Sequence, residues 1–364
     1  MRLGNPFSVS FGKSPLENIE RPVQKNEILE AFLASPINQQ IYMITGIRGS
    51  GKTVLMTDVS RRLQTEEHWT VIELNPETDM LHSLAAKLSR VEKFREAFRK
   101  AKIDLSLLGL GFEMEGALPI ADDETAIAGM LESIRKKGNR VLVTIDEVTN
   151  NENVRKFVAA FQIFIRAGLP IFLLMTGLYE NIDDLRNQKS LTFLYRTPRI
   201  QLQPLNLPAI AARYRGLFHL EEDAAYQMAR LTKGYAFAFQ ALGYLTFRSE
   251  ERNYLKILPE YRQYLDDFVY EKLWSEFSEK DREVTRAIVE TETGNSADVR
   301  SILDISSNSL AQYKRRLIRK GIVSDGEHGK LLLTLPLFDE FVKDQYKGLE
   351  PGPRGRRRRR NGQG

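Results

Sequence analysis

The sequence predicts an α/β protein: a parallel sheet wrapped by helices, then a helical region, then a small unit of helices and a hairpin. Three observations predict it. Short runs that are apolar on both faces recur between about residues 41 and 204, with helical stretches between them. Strands of that kind belong to parallel sheets covered on both sides. A glycine-rich loop follows the first run, and after Pro204 the strand signal almost vanishes.

The first strand is read at Ile41-Tyr-Met-Ile-Thr and the second at Trp69-Thr-Val-Ile-Glu-Leu. Arg140-Val-Leu-Val-Thr-Ile and Pro170-Ile-Phe-Leu-Leu-Met are the third and fourth, and Arg199-Ile-Gln-Leu is a fifth. Residues 103–116 alternate apolar residues with glycines, which predicts a β-hairpin insertion. Residues 205–278 show helical periodicity and read as a helical lid. The expected division is 1–204 for the α/β domain, 205–278 for the lid, 279–347 for the helix-and-hairpin domain and 348–364 for a disordered arginine-rich tail. At 364 residues the chain has length for two or three domains.

Composition narrows the chemistry. The chain contains no cysteine, which excludes disulfides, thiolate zinc sites and cysteine nucleophiles. The N-terminus has no signal-peptide core, and no apolar run approaches the ~18 residues that span a bilayer. A cytoplasmic protein that does not engage a membrane is expected. The net charge of +5 resides in the last fourteen residues, which carry six arginines and no acid. Of the 53 Lys+Arg, the remaining 47 face 48 Asp+Glu, a net of −1. Any argument for nucleic acid therefore rests on local patches.

Gly46-Ile-Arg-Gly-Ser-Gly51-Lys52-Thr53 fits the pattern G-x-x-x-x-G-K-[ST]. Glycines let successive N–H groups turn toward phosphate oxygens, and the positive end of the helix that follows adds to them. The predicted nucleotide contacts are Gly46, Ile47, Arg48, Gly49, Ser50, Gly51, Lys52, Thr53 and Val54. Lys52 reaches the β- and γ-phosphates of ATP, and the Thr53 hydroxyl ligates Mg²⁺. Such a match arises by chance in roughly one chain in a hundred of this length, and a strand before and a helix after make it rarer. Val141-Leu-Val-Thr-Ile-Asp146-Glu147 ends a strand in two acids. By itself that is an acidic turn. Behind a phosphate loop it supplies Asp146 to the metal and Glu147 as general base. Thr176, at the end of the next strand, is placed to sense the γ-phosphate or orient water; the alternative is a threonine satisfying its own backbone. Arg196, ahead of Arg199, is the first candidate for an arginine acting on the γ-phosphate, in its own or a neighbouring subunit of a homo-oligomer.

In the C-terminal part, Ser278 and Asp281 open a helix in capping-box fashion, a second helix covers 296–303, and a third covers 309–320. A glycine-containing hairpin follows, and helix-turn-helix plus hairpin is a winged helix. Its third helix carries Lys314, Arg315, Arg316, Arg319 and Lys320 without an acid. That face can enter a DNA major groove, or dock a protein partner while its charges stay solvated. The arginines at 356–360 suit nucleic acid, with anionic membrane or plain solvation as alternatives.

Taken together, residues 46–53, the run 141–147 and Thr176 resemble an AAA+ ATPase of the additional-strand class. The likeness is greatest to Orc1/Cdc6-like ATPases and to the archaeal-type ATPases of the STAND group, and it covers about residues 5 to 345. Asn5-Pro-Phe ahead of Glu20-Arg21 resembles the segment that packs on adenine, with Glu20 where the family often has glycine. Gly234-Tyr-Ala-Phe resembles the start of the sensor-2 helix, but the usual arginine is absent, with Phe237 or Phe239 in its neighbourhood. The resemblance implies an ATPase with Mg²⁺, and the missing arginine suits a slow switch. Three uses follow: an ATP-controlled DNA-binding switch, a STAND-type signalling ATPase that docks a protein, or a DNA-remodelling or loader motor.

Overall fold

The computed structural model describes residues 4–10, 15–110, 120–291 and 293–347. These residues form two compact units, divided after Tyr261, with residues 319–321 belonging to the first.

The first unit is built on a sheet of β1 (Ile41–Thr45), β2 (Trp69–Leu74), β3 (Arg140–Ile145), β4 (Ile171–Gly177) and β5 (Arg199–Gln201). All pairings are parallel, in the order β2-β3-β4-β1-β5. Helix α1 (Pro22–Leu33) precedes the sheet, and α2 (Lys52–Gln64) follows β1. Between β2 and β3 come α3 (Met80–Ser89), α4 (Glu92–Lys100) and α5 (Asp123–Lys136); α6 (Glu152–Arg166) and α7 (Tyr179–Arg186) follow β3 and β4.

Side-chain alternation divides β1 to β4 between two cores. Ile41, Met43, Leu173 and Met175 join the core under α3 to α6. Tyr42, Ile44, Phe172 and Leu174 join the core with α1 and α2. The helices start where short polar side chains accept the first free amides. Asp79 caps α3, Asp122 caps α5 and Asn151 caps α6. Asn151 also donates to the Pro76 carbonyl at 3.0 Å, tying the end of β2 to the loop after β3.

The expected hairpin at 103–116 is replaced, over its described part, by a 3₁₀ turn at Ser106–Leu108. The Asp104 carboxylate accepts from the Ser106 amide at 2.9 Å there, and the Asp104 carbonyl accepts from the Ile120 amide at 3.1 Å. Residues 111–116 lie outside the described residues, as does the tail at 348–364.

After β5 come α8 (Leu207–Phe218), α9 (Glu222–Arg230) and α10 (Ala236–Arg248). The N-terminal segment runs across them. Phe7 is 2% exposed and packs on Tyr214, Phe218 and Phe239. It fills a notch at Gly243, where a Cβ would collide with its ring. Asn5 donates to the Tyr244 carbonyl at 3.0 Å. The segment whose resemblance pointed to adenine thus has its phenylalanine in the core of these helices.

Helix α11 (Leu258–Leu265), a π-turn at Asp266–Tyr270 and α12 (Glu271–Ser275) follow in the chain. The second unit adds α13 (Glu279–Glu290), α14 (Ser296–Leu303), α15 (Ser307–Arg319), an antiparallel pair β6 (Val323–Asp325) and β7 (Leu331–Leu333), and α16 (Phe338–Tyr346). Ser278 caps α13, accepting from the Asp281 amide at 3.1 Å. Arg262 gathers Glu340 at 2.8 Å, Asp344, and Asp266 at 3.8 Å.

Asp266 holds the unfavourable place in that cluster. Desolvation raises its pKa to about 6; Arg262 opposes the shift, and Asp344, Asp267 and Glu271 add to it. A carboxyl with a folded pKa above its unfolded value binds its proton more tightly when folded. Its charge therefore costs stability above about pH 6, and the cost disappears as pH falls toward 4. Asp266→Asn is expected to raise the stability of the C-terminal unit at pH 7 by about 1 kcal/mol, discounted because the side chain is one-quarter exposed. Urea unfolding at pH 7 and pH 4.5 checks this, since the gain is expected only at the higher pH.

Candidate nucleotide site

The strand order places the site. Because β4 lies between β1 and β3, the carboxyl ends of these three strands are neighbours. The chain leaves β1 into the loop 46–51, β3 into Asp146 and Glu147, and β4 at Thr176 and Gly177. Ligands of open α/β sheets bind at these ends, where the strand order reverses.

The loop turns on two glycines with left-handed backbones, Gly49 at φ +67° and Gly51 at φ +91°. Helix α2 begins at Lys52, directly after Gly51, so its free N-terminal amides border the loop. Lys52 is 8% exposed, and its ammonium donates to the carbonyls of Gly46 at 3.1 Å and Ile47 at 2.9 Å. The Ser50 amide lies 3.3 Å from the same Ile47 oxygen. That oxygen therefore accepts a cationic and a neutral donor together. Desolvation lowers the Lys52 pKa to about 8, Asp146 and Glu147 oppose the shift, and Arg48 adds to it.

Thr53, Asp146 and Thr176 form one network. The Thr53 hydroxyl donates to Asp146 Oδ2 at 2.8 Å, and the fully buried Thr176 hydroxyl donates to Asp146 Oδ1. The Glu147 amide approaches both Asp146 Oδ1, at 3.1 Å, and Thr176 Oγ1, at 3.2 Å. Glu147 has φ +53°, an unusual backbone for a residue with a side chain, costing about 1 kcal/mol. The carboxylate is exposed while its backbone is pinned.

This donor set suits Mg²⁺. A hydroxyl and a carboxylate are hard oxygen ligands, and Mg²⁺ takes one or two carboxylates when phosphates and water complete its shell. No cluster of three or more His, Cys, Asp or Glu among the described residues could cage a metal without a nucleotide.

The fold is that of a P-loop ATPase. Residues 26–168 match the family described as an ATPase domain predominantly from Archaea, and residues 267–342 match a domain of unknown function, DUF8462. Two solved structures resemble the whole described fold. The Walker-type ATPase PABY2304 of Pyrococcus abyssi superposes with a TM-score of 0.61 at 15% identity, over 90% of this chain and 96% of that one. The ORC2 protein of Aeropyrum pernix, solved as ADPNP–ADP complexes, superposes with a TM-score of 0.57 at 14% identity, over 90% and 93%. At these identities the likeness is one of fold. No curated protein matches this sequence. No helix among the described residues is long and apolar enough to cross a membrane.

Residues outside the loop and the two strand ends also reach the candidate site, among them segments that the resemblance had named. The Tyr235 hydroxyl donates to the Arg48 carbonyl at 2.6 Å, and the Phe237 amide donates to the Gly49 carbonyl at 3.0 Å. Arg21 donates to the Ser50 carbonyl at 3.2 Å and the Gln203 carbonyl at 2.8 Å, bridging the entry segment to the loop. The Tyr235 contact falls at the resemblance named at Gly234-Tyr-Ala-Phe, where Gly234 has a left-handed backbone.

The arginine candidates separate. Arg199 lies over the Tyr179 ring at 4.4 Å and faces Asp183 at 3.7 Å, so it is engaged in its own domain. Arg196 is exposed at the end of the 3₁₀ segment Lys189–Arg196. The basic helix α15 separates likewise. Lys314 pairs with Asp325, and Arg316 donates to Asp281 at 2.7 Å, an acid only 1% exposed. Arg315 and Arg319 are exposed, and Lys320 is half-buried.

Proposed function

We propose that this protein is a nucleotide switch that binds and hydrolyses ATP with Mg²⁺ and acts on duplex DNA through a C-terminal winged helix formed by α13 to α15 and β6–β7. In this reading α8 to α10 are the lid. The observation that carries the ATPase half is the Thr53–Asp146–Thr176 network beside Lys52. The nucleotide complexes of the Aeropyrum pernix ORC2 protein support it.

In the reaction, the amides of residues 46–54 and the Lys52 ammonium bind the phosphates. Thr53 and Asp146 would hold Mg²⁺, which neutralises phosphate charge. The Glu147 carboxylate accepts a proton from the attacking water as the new P–O bond forms, and the bonding electrons of the broken phosphoanhydride leave with ADP. Thr176 orients Asp146 and, through the Glu147 amide, the base. Arg196 remains the candidate for the γ-phosphate from a neighbouring subunit.

The DNA half rests on the exposed Arg315 and Arg319 on α15. Replacing both by alanine is expected to weaken duplex binding and to reduce the slope of log affinity against log salt by about two. Fluorescence anisotropy between 50 and 200 mM salt measures it. ATP turnover with and without duplex, and DNA affinity with ATP, ADP or neither, test the switch. Equal DNA affinity in all three states rules the switch out. A second reading, a signalling ATPase whose winged helix docks a protein, gains from one observation: Lys314 and Arg316 are neutralised by Asp325 and Asp281 within their own domain. It predicts that the Arg315/Arg319 variant keeps its function.

A further inference from the structure

The first turn of α10 addresses the phosphate loop, and it does so without charge. Residues 235–238 are Tyr, Ala, Phe and Ala. Two consecutive loop carbonyls, those of Arg48 and Gly49, accept the Tyr235 hydroxyl and the Phe237 amide. The fit is close on both sides. Gly49 has a left-handed backbone, and a Cβ there would lie 2.5 Å from the Tyr235 hydroxyl and 2.8 Å from the Phe237 Cβ. The Tyr235 side chain is only 5% exposed. Burial drives its pKa far up, so its proton stays available for the bond.

These bonds orient the loop. A trans peptide holds its carbonyl and the following N–H on opposite sides. Drawing the carbonyls of Arg48 and Gly49 toward α10 turns the amides of Gly49 and Ser50 away from it. The Ser50 amide on that side approaches the Ile47 oxygen, which also takes the Lys52 ammonium. An uncharged oxygen already sits among donors suited to a phosphate oxygen.

We propose that Tyr235 is a positioning residue which, with the Phe237 amide, couples the lid to loop residues 48–49, so that the lid responds to an occupied loop and engages ADP and ATP alike. The inference rests on the ATP-binding reading. Loop amides cradle the α- and β-phosphates, which both nucleotides possess. Distinguishing ATP from ADP would need a lid group acting on the γ-phosphate, and the first turn of α10 carries no charged side chain. Loss of nucleotide, rather than loss of the γ-phosphate, then releases the lid.

The test uses the full chain as wild type, Tyr235→Phe and Phe237→Arg. ADP and ADPNP are titrated by calorimetry, and hydrogen exchange is followed over residues 234–248. Wild type is expected to bind the two nucleotides within about threefold of each other, with equal protection of α10. Tyr235→Phe is expected to weaken both by the same factor, about three- to tenfold, the value of one hydrogen bond. Phe237→Arg is expected to favour ADPNP over ADP by about tenfold, the value of a charge-assisted contact. A wild-type preference for ADPNP above about tenfold, α10 protection by ADPNP alone, or unchanged affinities in Tyr235→Phe would each overturn the coupling. If Tyr235→Phe does not fold, the wild-type and Phe237→Arg titrations still decide. Wild type that binds neither nucleotide overturns the ATP-site reading itself, a separate failure.

Discussion

Glu147→Gln is expected to lower ATP turnover by about 10²- to 10⁴-fold, or about 2.7–5.5 kcal/mol of transition-state stabilisation, while ATP affinity changes little. Asp146, next to Glu147, receives hydroxyl bonds from Thr53 and Thr176, one on each oxygen, which fix its carboxylate on the metal side of the site. Glu147 keeps an exposed carboxylate on a backbone held at φ +53° by two amide contacts. Glutamine preserves shape and removes the ability to take a proton. Thr176→Val complements it: the hydroxyl that orients Asp146 is lost and the volume is kept. Single-turnover hydrolysis of prebound ATP separates chemistry from binding. Normal single-turnover hydrolysis by Glu147→Gln would show that this carboxylate is not the base.

Lys52→Ala is expected to weaken ATP binding by about a hundredfold or more, since an ammonium on phosphate contributes about 3 kcal/mol. The buried ammonium also predicts a pH profile. In the nucleotide-free protein desolvation lowers the Lys52 pKa to about 8. Bound phosphates favour the charged form and raise it again. ATP affinity should thus be flat below pH 8 and fall about tenfold per pH unit above it. Stability follows the opposite sign. A lysine with a folded pKa below its unfolded value costs stability while both states are protonated, below pH 8, and that cost is relieved as pH rises toward 10.5. Lys52→Met should therefore stabilise the nucleotide-free protein at pH 7 and lose the affinity step. Calorimetric titration from pH 6.5 to 9.5 measures the affinity, and urea unfolding over the same range measures the stability. A pH-independent affinity in wild type would contradict the burial argument.

Strands β1, β3 and β4 were legible because a strand buried on both faces needs a nearly unbroken apolar run, and such runs stand out locally. The glycine-rich loop was legible for a related reason. Gly49 and Gly51 occupy left-handed backbones that other residues seldom adopt, so the chemistry is written into consecutive positions. The turn at 106–108 was misread as part of a hairpin because alternation of apolar residues cannot reveal a side-chain bond such as Asp104 to the Ser106 amide.

From its own residues the sequence determined a phosphate loop, two acids at a strand end and a threonine at the next, because each depends on neighbours along the chain. Only the tertiary structure decided what those groups meet. Inserting β4 between β1 and β3 brings Thr176 onto Asp146, which lies thirty residues away in the chain. Folding α10 onto the loop gives Tyr235 the Arg48 carbonyl. Burying Asp281 takes Arg316 out of the basic face of α15, where charge counting had placed it. The reason is common to all three. A hydrogen bond or ion pair acts over about 3 Å, and residues far apart in sequence come within that reach only through packing of the sheet and helices.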